Sequence, residues 1–263
     1  MPENDYTPTE IMTIAAARRL KNGTVCFVGI GLPSAAANLA RLTHAPGVVL
    51  IYESGAIGAK PQVLPLSIGD GELAETADTV VSVPEIFRYW LQGGRVDLGF
   101  LGAAQIDRFG NINTTVIGGT YESPRVRLPG AGGAPEIATE AREIAIILQH
   151  SKRSLVDKLD FVTSSGFLAP TNERNGPQPR GRRRTTVVTD LGVLESDPAT
   201  HELILTTLHP GVSPRRVRDA TGWDLKLAAH PETTPIPTAN ELHALRDLHA
   251  RTAAAHGRAA SVD

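Results

Sequence analysis

Short apolar segments alternate with helix-patterned segments along most of this chain, and that alternation limits the fold more than any other feature. Thr24 to Val28 is an apolar strand pattern that runs through a glycine turn into a helix from Pro33 to about Leu42. Val48 to Tyr52 is the next strand. Ser82-Val83-Pro84-Glu85 caps a further helix that ends near Gly93-Gly94, and Val96 to Leu101 and Ile144 to Leu148 are again strand-like. These runs are too continuous in apolar character to have a solvated face, so they suit strands covered on both sides. Strand–helix alternation of this kind predicts an α/β fold, an open and largely parallel sheet flanked by helices, in a single domain over residues 1–263.

The remaining segments fit that frame. Thr7-Pro8-Thr9-Glu10 is a capping box with proline at the first helical position. It opens a helix to about Leu20, stopped by Lys21-Asn22-Gly23. Thr185 to Thr189, Gly192 to Glu195 and Leu203 to Leu208 are strand-like, and Asn240 to about Ala255 is an amphipathic helix with a frayed tail over 256–263. Residues 169–184 (APTNERNGPQPRGRRR) lack periodicity, are rich in turn formers and read as an exposed loop.

Composition removes several classes of function. The formal charge of -2 gives no reason to expect a nucleic-acid partner. The one cysteine, Cys26, excludes an internal disulfide framework and a cysteine-based zinc cluster. It lies inside the apolar TVCFVGIG pattern, where a packing role is expected. No apolar run approaches the length of a membrane span, and the acidic, polar N-terminus lacks a signal-peptide layout. The expected compartment is the cytoplasm.

Four segments could carry chemistry. Gly29-Ile30-Gly31-Leu32-Pro33-Ser34 joins a strand to a helix, where glycines allow a sharp turn and free N–H groups favour negative charge. With Glu53 at the end of the next strand it imitates a dinucleotide fingerprint, but Ser34 replaces the third glycine and Pro33 removes an N–H. Glu53-Ser54-Gly55 puts a carboxylate where open α/β sheets bind ligands, or else a solvated loop acid. Gly102-Ala103-Ala104-Gln105-Ile106-Asp107 runs into Gly110-Asn111-Ile112-Asn113-Thr114, whose asparagines could orient a carboxylate or simply form a hairpin turn. Gly130-Ala131-Gly132-Gly133-Ala134 concentrates glycines at an entropic cost that usually reflects a close approach to the backbone.

Taken together, GIGLP at 29–33, ESG at 53–55, GAAQID with GNIN at 102–113 and GAGGA at 130–134 resemble the β subunits of the family I CoA-transferases. The resemblance runs from about Thr7 to about Leu227 and includes DLGVLE at 190–195 and LHPGVSPRRV at 208–217. The ESG triplet resembles the glutaconate CoA-transferase β branch, and within it the B subunits of 3-oxoadipate CoA-transferases of aromatic degradation. The resemblance implies that Glu53 is a nucleophile forming a glutamyl-CoA thioester. It implies that Gly29, Ile30, Gly31, Gly132 and Gly133 bind CoA or stabilise an oxyanion, with Asn111 as an orienting amide. It also implies no metal and no resident cofactor, coenzyme A being a substrate and a transient covalent adduct. The active assembly would be α₂β₂, with a homologous α subunit completing the site.

The acceptor by this resemblance is 3-oxoadipate, a small dicarboxylic acid, and the donor is succinyl-CoA; glutaconate with acetyl-CoA is the alternative. Arg125, Arg127 and the arginines of 180–184 are the local candidates for the distal carboxylate. Three other readings remain: a CoA-ester hydrolase on the same scaffold, a nicotinamide-dependent dehydrogenase built on the G-x-G turn, and a sensor that binds without catalysis.

Overall fold

The computed structural model describes residues 5–166 and 184–257. In chain order, α1 (Pro8–Ala17) precedes β1 (Val25–Val28), α2 (Leu32–Leu42), β2 (Val49–Ile51), β3 (Ala56–Ile57), α3 (Gly71–Glu75) and β4 (Thr79–Val80). Next come α4 (Val83–Glu85) with a π-helix over Ile86–Leu91, then β5 (Leu98–Gly102), β6 (Gln105–Ile106), β7 (Ile112–Asn113), β8 (Val116–Gly119) and β9 (Pro124–Arg127). The chain continues through α5 (Ala134–Glu140), β10 (Glu143–Ile147), β11 (Arg184–Val188), β12 (Gly192–Ser196), β13 (Leu203–Leu208), α6 (Pro214–Asp219), β14 (Leu227–Thr233) and α7 (Ala239–His256).

Ten of these strands form one sheet in the order β14-β13-β12-β11-β10-β5-β1-β2-β3-β4. The five strands from β11 to β2 are parallel, and antiparallel pairs extend the sheet on both sides. The largely parallel α/β sheet expected from sequence is therefore present, with antiparallel edges that the apolar pattern did not reveal.

Side chains alternate across the strands, as the two-residue period requires. On β1, Cys26 and Val28 enter one core layer and Phe27 enters the other; on β10, Ala145 and Ile147 oppose Ile144 and Ile146. The first layer is covered by α1, α2 and α7, the second by the π-helix, α5 and α6. Each fully buried large apolar side chain contributes about 1.5–3 kcal/mol, so these two layers supply most of the driving force for folding. Cys26 is wholly buried, and burial pushes its thiol pKa up, as suits a packing residue.

The capping box of α1 forms as read, with Thr7 Oγ1 accepting from Glu10 N at 3.1 Å and Glu10 Oε2 accepting from Thr7 N at 2.7 Å. The helix ends at Ala17 rather than Leu20. α7 is bound to it by charge: Arg18 grips Glu241 through two bonds of 2.7 Å, and Arg246 reaches Glu10 at 2.7 Å. Burial opposes ionisation of Glu241, but the bonds from Arg18 and Thr238 outweigh it and bring its pKa down to about 2.

The helix capped by Ser82 is α-helical only to Glu85 and continues as a π-helix. The expected loop of 169–184 lies outside the described residues except for Arg184, which opens β11. Of the tail 256–263, His256 still belongs to α7 and Gly257 caps it in the left-handed region; the rest lies outside the described residues. Among the described residues, no helix is long and apolar enough to cross a membrane.

Candidate active site

β1 leads through α2 to β2 on one side, while its other neighbour is β5. The chain thus switches direction across the sheet between β1 and β5, and open α/β folds form their ligand crevice at the carboxyl ends of such strands. A cavity of about 360 Å³ lies there. Gly29 and Ile30 follow β1, Glu53 follows β2, Gly102 to Ala104 follow β5, and Gly130, Ala131 and Gly133 close the opposite wall. A larger hollow of about 440 Å³ sits at the other end of the strands, lined by Arg18, Arg19, Lys21, Arg142 and Arg184 with Asp97 and Glu143. Its four arginines are already paired with carboxylates, so the crevice holding Glu53 is the better chemical candidate.

Local geometry explains how Glu53 is presented. The chain reverses between β2 and β3, closed by Gly55 N to Tyr52 O at 2.9 Å and Tyr52 N to Ala56 O at 3.0 Å. Gly55 has φ +100°, and a Cβ there would lie 2.0 Å from the Val81 carbonyl oxygen. No other residue fits, so the glycine of ESG is needed to make the turn that projects Glu53. Beneath it Tyr52 is fully buried, with its hydroxyl 3.2 Å from Ser34 Oγ and accepting from Asn38 Nδ2 at 3.4 Å. Burial raises the pKa of Tyr52 to about 12, so it stays a neutral anchor. Ser34, which breaks the dinucleotide fingerprint, thus serves to hold the residue before Glu53.

Glu53 is half-buried, and among the described residues its carboxylate has no hydrogen-bond or ion-pair partner. The GAGGA loop meets it closely. A Cβ on Gly132 would stand 3.5 Å from Glu53 Oε2, and one on Gly133 would stand 3.2 Å from Glu53 Cδ. The loop is pinned from behind by Thr114, which accepts from Gly130 N at 2.9 Å through its carbonyl and donates from Oγ1 to Gly130 O at 2.8 Å. Among the described residues, the N–H groups of Gly132 and Gly133 donate to no protein acceptor. A carboxylate beside unspent amide donors in a mainly apolar cavity can attack a carbonyl and stabilise the oxyanion that results.

The other expected residues separate. Ile30 lines the cavity, and its N–H and that of Gly31 lack a protein acceptor among the described residues. Gly29 lines the cavity too, but its N–H donates to Phe100 O at 2.9 Å, where a Cβ would be equally close. Close packing on β5 therefore requires that glycine. Gly31 is the N-cap of α2 at φ +84°. Asn111 does not reach Glu53's cavity. Its Nδ2 donates to Asp107 at 2.8 Å and its Oδ1 accepts from Gly166 N at 2.7 Å, so it clamps the β6–β7 hairpin. That corrects its placement as an orienting amide. Asn113 is likewise spent on Gln105 and Val116. Neither Arg125 nor Arg127 lines the cavity; Arg127 lies over the Tyr121 ring at 4.8 Å. Sequence reasoning passed over Thr114 and Phe87, whose contacts with the glycine loop join residues distant in the chain.

Residues 9–220 match the family model for coenzyme A transferase. This chain belongs to the coenzyme A transferase family. It is 64% identical over 253 residues to the B subunit of 3-oxoadipate CoA-transferase of Pseudomonas knackmussii, covering 96% of this chain and 97% of the relative. It is 37% identical over 230 residues to the B subunit of glutaconate CoA-transferase of Acidaminococcus fermentans, covering 85% of each. The crystal structure of glutaconate coenzyme A-transferase from the same organism superposes with a TM-score of 0.83 at 33% identity, over 92% of this chain and 94% of that one. Each of the two relatives is one subunit of an enzyme. Among the described residues, no cluster of three His, Cys, Asp or Glu side chains could hold a metal ion.

Proposed function

We propose that this CoA-transferase chain is the B subunit of an enzyme that moves CoA from succinyl-CoA to 3-oxoadipate. The observation that carries the reading is the Glu53 carboxylate, unpaired among the described residues and set against Gly132 and Gly133 at the switch point of the sheet. The 64% identity to the B subunit of a 3-oxoadipate CoA-transferase favours that acceptor over glutaconate.

The chemistry balances without a resident cofactor or a change in oxidation state. The Glu53 carboxylate attacks the thioester carbonyl of succinyl-CoA, and the N–H groups of Gly132 and Gly133 take the oxyanion. Collapse expels CoA thiolate and leaves a mixed anhydride. The thiolate attacks the Glu53 carbonyl, releasing succinate and forming the glutamyl-CoA thioester. The carboxylate of 3-oxoadipate then attacks that thioester, thiolate leaves again, and its attack on the acceptor carbonyl yields 3-oxoadipyl-CoA and regenerates Glu53. Each preorganised donor is worth about 10²–10³-fold. The apolar lining limits water, which would otherwise hydrolyse the anhydride.

An adjoining hollow of about 380 Å³, which shares Ile30 and Gly102 to Ala104 with the cavity, has room for the pantetheine arm. Among the described residues the lining supplies no cation for a dicarboxylate, which supports completion of the site by a homologous α subunit. The assembly proposed is α₂β₂, in the cytoplasm. The experiment is to incubate the purified α-containing complex with succinyl-CoA and then borohydride. Irreversible inactivation with reduction at Glu53 is expected, together with no turnover by this chain alone. Full activity after that treatment would point to a CoA-ester hydrolase without a covalent glutamyl thioester.

A further inference from the structure

The glycine loop can stabilise an oxyanion only if it is held at the right distance from Glu53, and the structure shows what it rests on beside that carboxylate. A Cβ on Gly133 would lie 2.4 Å from Phe87 Cζ and 2.8 Å from Cε1. Gly133 is therefore seated flush on the Phe87 ring, and the same point stands 3.2 Å from Glu53 Cδ, so ring and carboxylate flank one face of the loop. Phe87 in turn leans on Phe27, a lining residue, with ring centroids 5.7 Å apart and planes tilted by 46°. One aromatic wedge thus spans from the cavity wall to the loop.

The wedge is carried by the π-helix over Ile86–Leu91. In an α-helix, residues five apart diverge by about 140° around the axis. Here Ile86 and Leu91 are both fully buried, which the wider π turn permits by returning them to one side. That rotation leaves Phe87 and Trp90 half-buried on the flanks. The same helix meets α5 a second time, where Gln92 hydrogen-bonds Glu136. π turns are rare and, where they interrupt helices, are frequent at functional sites.

We propose that Phe87 is a positioning residue for group transfer. Acting through Gly133, it sets how far the loop's N–H groups stand from the carbonyl that Glu53 attacks, and the π turn aims it. The proposal rests on the reading of Glu53 as nucleophile. The hollow proposed for the pantetheine arm is lined by Leu32, Pro33 and Gln149, away from Phe87, so loss of the wedge should cost transition-state stabilisation and leave substrate binding intact.

The test uses the complex with its α subunit and three variants: Phe87→Leu, Gly133→Ala and the double. Gly133 has φ -83°, so alanine is tolerated by the backbone, and its methyl meets Phe87 and Glu53 first. Phe87→Leu opens a gap under the loop beside Glu53, and Gly133→Ala drives the loop off the ring. Each single change should lower kcat and the rate of borohydride-trapped Glu53 adduct by about 10–100-fold, with KM for succinyl-CoA within about twofold. In the double variant the new methyl fills the vacated space, so kcat should recover above both singles. Undiminished kcat in Phe87→Leu, losses that multiply in the double, or losses that follow KM or the thermal midpoint would overturn the positioning role. A wild-type complex that forms no Glu53 adduct would instead overturn the nucleophile reading, and the proposal with it.

Discussion

The carboxyl edge of the sheet carries two groups of buried or half-buried ionisable side chains, treated in opposite ways. Beyond β10, β11 and β13, His150 sits between Thr189 Oγ1 at 3.1 Å and Thr221 Oγ1 at 2.9 Å, while its backbone N–H donates to Asp190 at 2.6 Å. His209 bridges Thr234 Oγ1 at 2.9 Å and the Thr189 carbonyl at 2.8 Å. Every ring nitrogen is satisfied. Beyond β2, by contrast, Glu53 faces amide donors and has no partner among the described residues. A satisfied buried polar group stabilises the fold and is chemically quiet. An unsatisfied one facing a cavity has been left available for a ligand.

That contrast predicts which region controls rate and which controls stability. Glu53→Gln in the α-containing complex should reduce kcat by at least about 10⁴-fold, because the proposed nucleophile is removed. Its thermal midpoint should stay within a degree or two, since no contact among the described residues is broken; a stability loss equal to that of a core change would blur the distinction. Thr189→Val should do the reverse. It keeps the shape but strips the acceptor from Leu191 N and Gly192 N and the partner from His150, so chemical denaturation should show a loss of about 1–3 kcal/mol. Its kcat per folded molecule should remain within about twofold.

The smallest effect is the dependence on pH. Burial lowers the pKa of His150 to about 4 despite the opposing charge of Asp190, and lowers that of His209 in the same direction. A histidine depressed in the folded state binds its proton more readily when unfolded, so its contribution is full above about pH 6.5 and fades as pH falls toward 4. Glu241, held at about 2 by Arg18 and Thr238, contributes above its unfolded pKa and is lost at still lower pH. Denaturation midpoints measured from pH 7 to pH 4 should therefore decline, and His150→Asn should flatten part of that slope. An unchanged slope would show that His150 is not the group titrating.

Much of this was readable in the chain. Apolar runs broken by glycine turns determined a parallel α/β sheet, because strands covered on both faces need continuous apolar character. The capping box at Thr7 formed as read, since capping depends on residues three apart. Glu53, Gly132 and Gly133 were singled out by the family resemblance of their motifs, and the fold brings the three together. Asn111 was placed in the site and belongs instead to a hairpin, and its neighbour Thr114 makes the contact with the loop. Amides and hydroxyls near a glycine look alike in sequence, and only the hydrogen-bond partners distinguish them.

What the sequence determined by itself is therefore the local chemistry: where strands end, where the backbone must bend at Gly55, and that a carboxylate stands at one of those ends. What the tertiary structure decided is which of these ends meet. Gly133 lies on Phe87 and against Glu53 because β1, β2 and β5 are neighbours in the sheet and the π-helix packs beside them. Such meetings depend on strand order and on the packing of side chains far apart in the chain, and no short window of residues contains them.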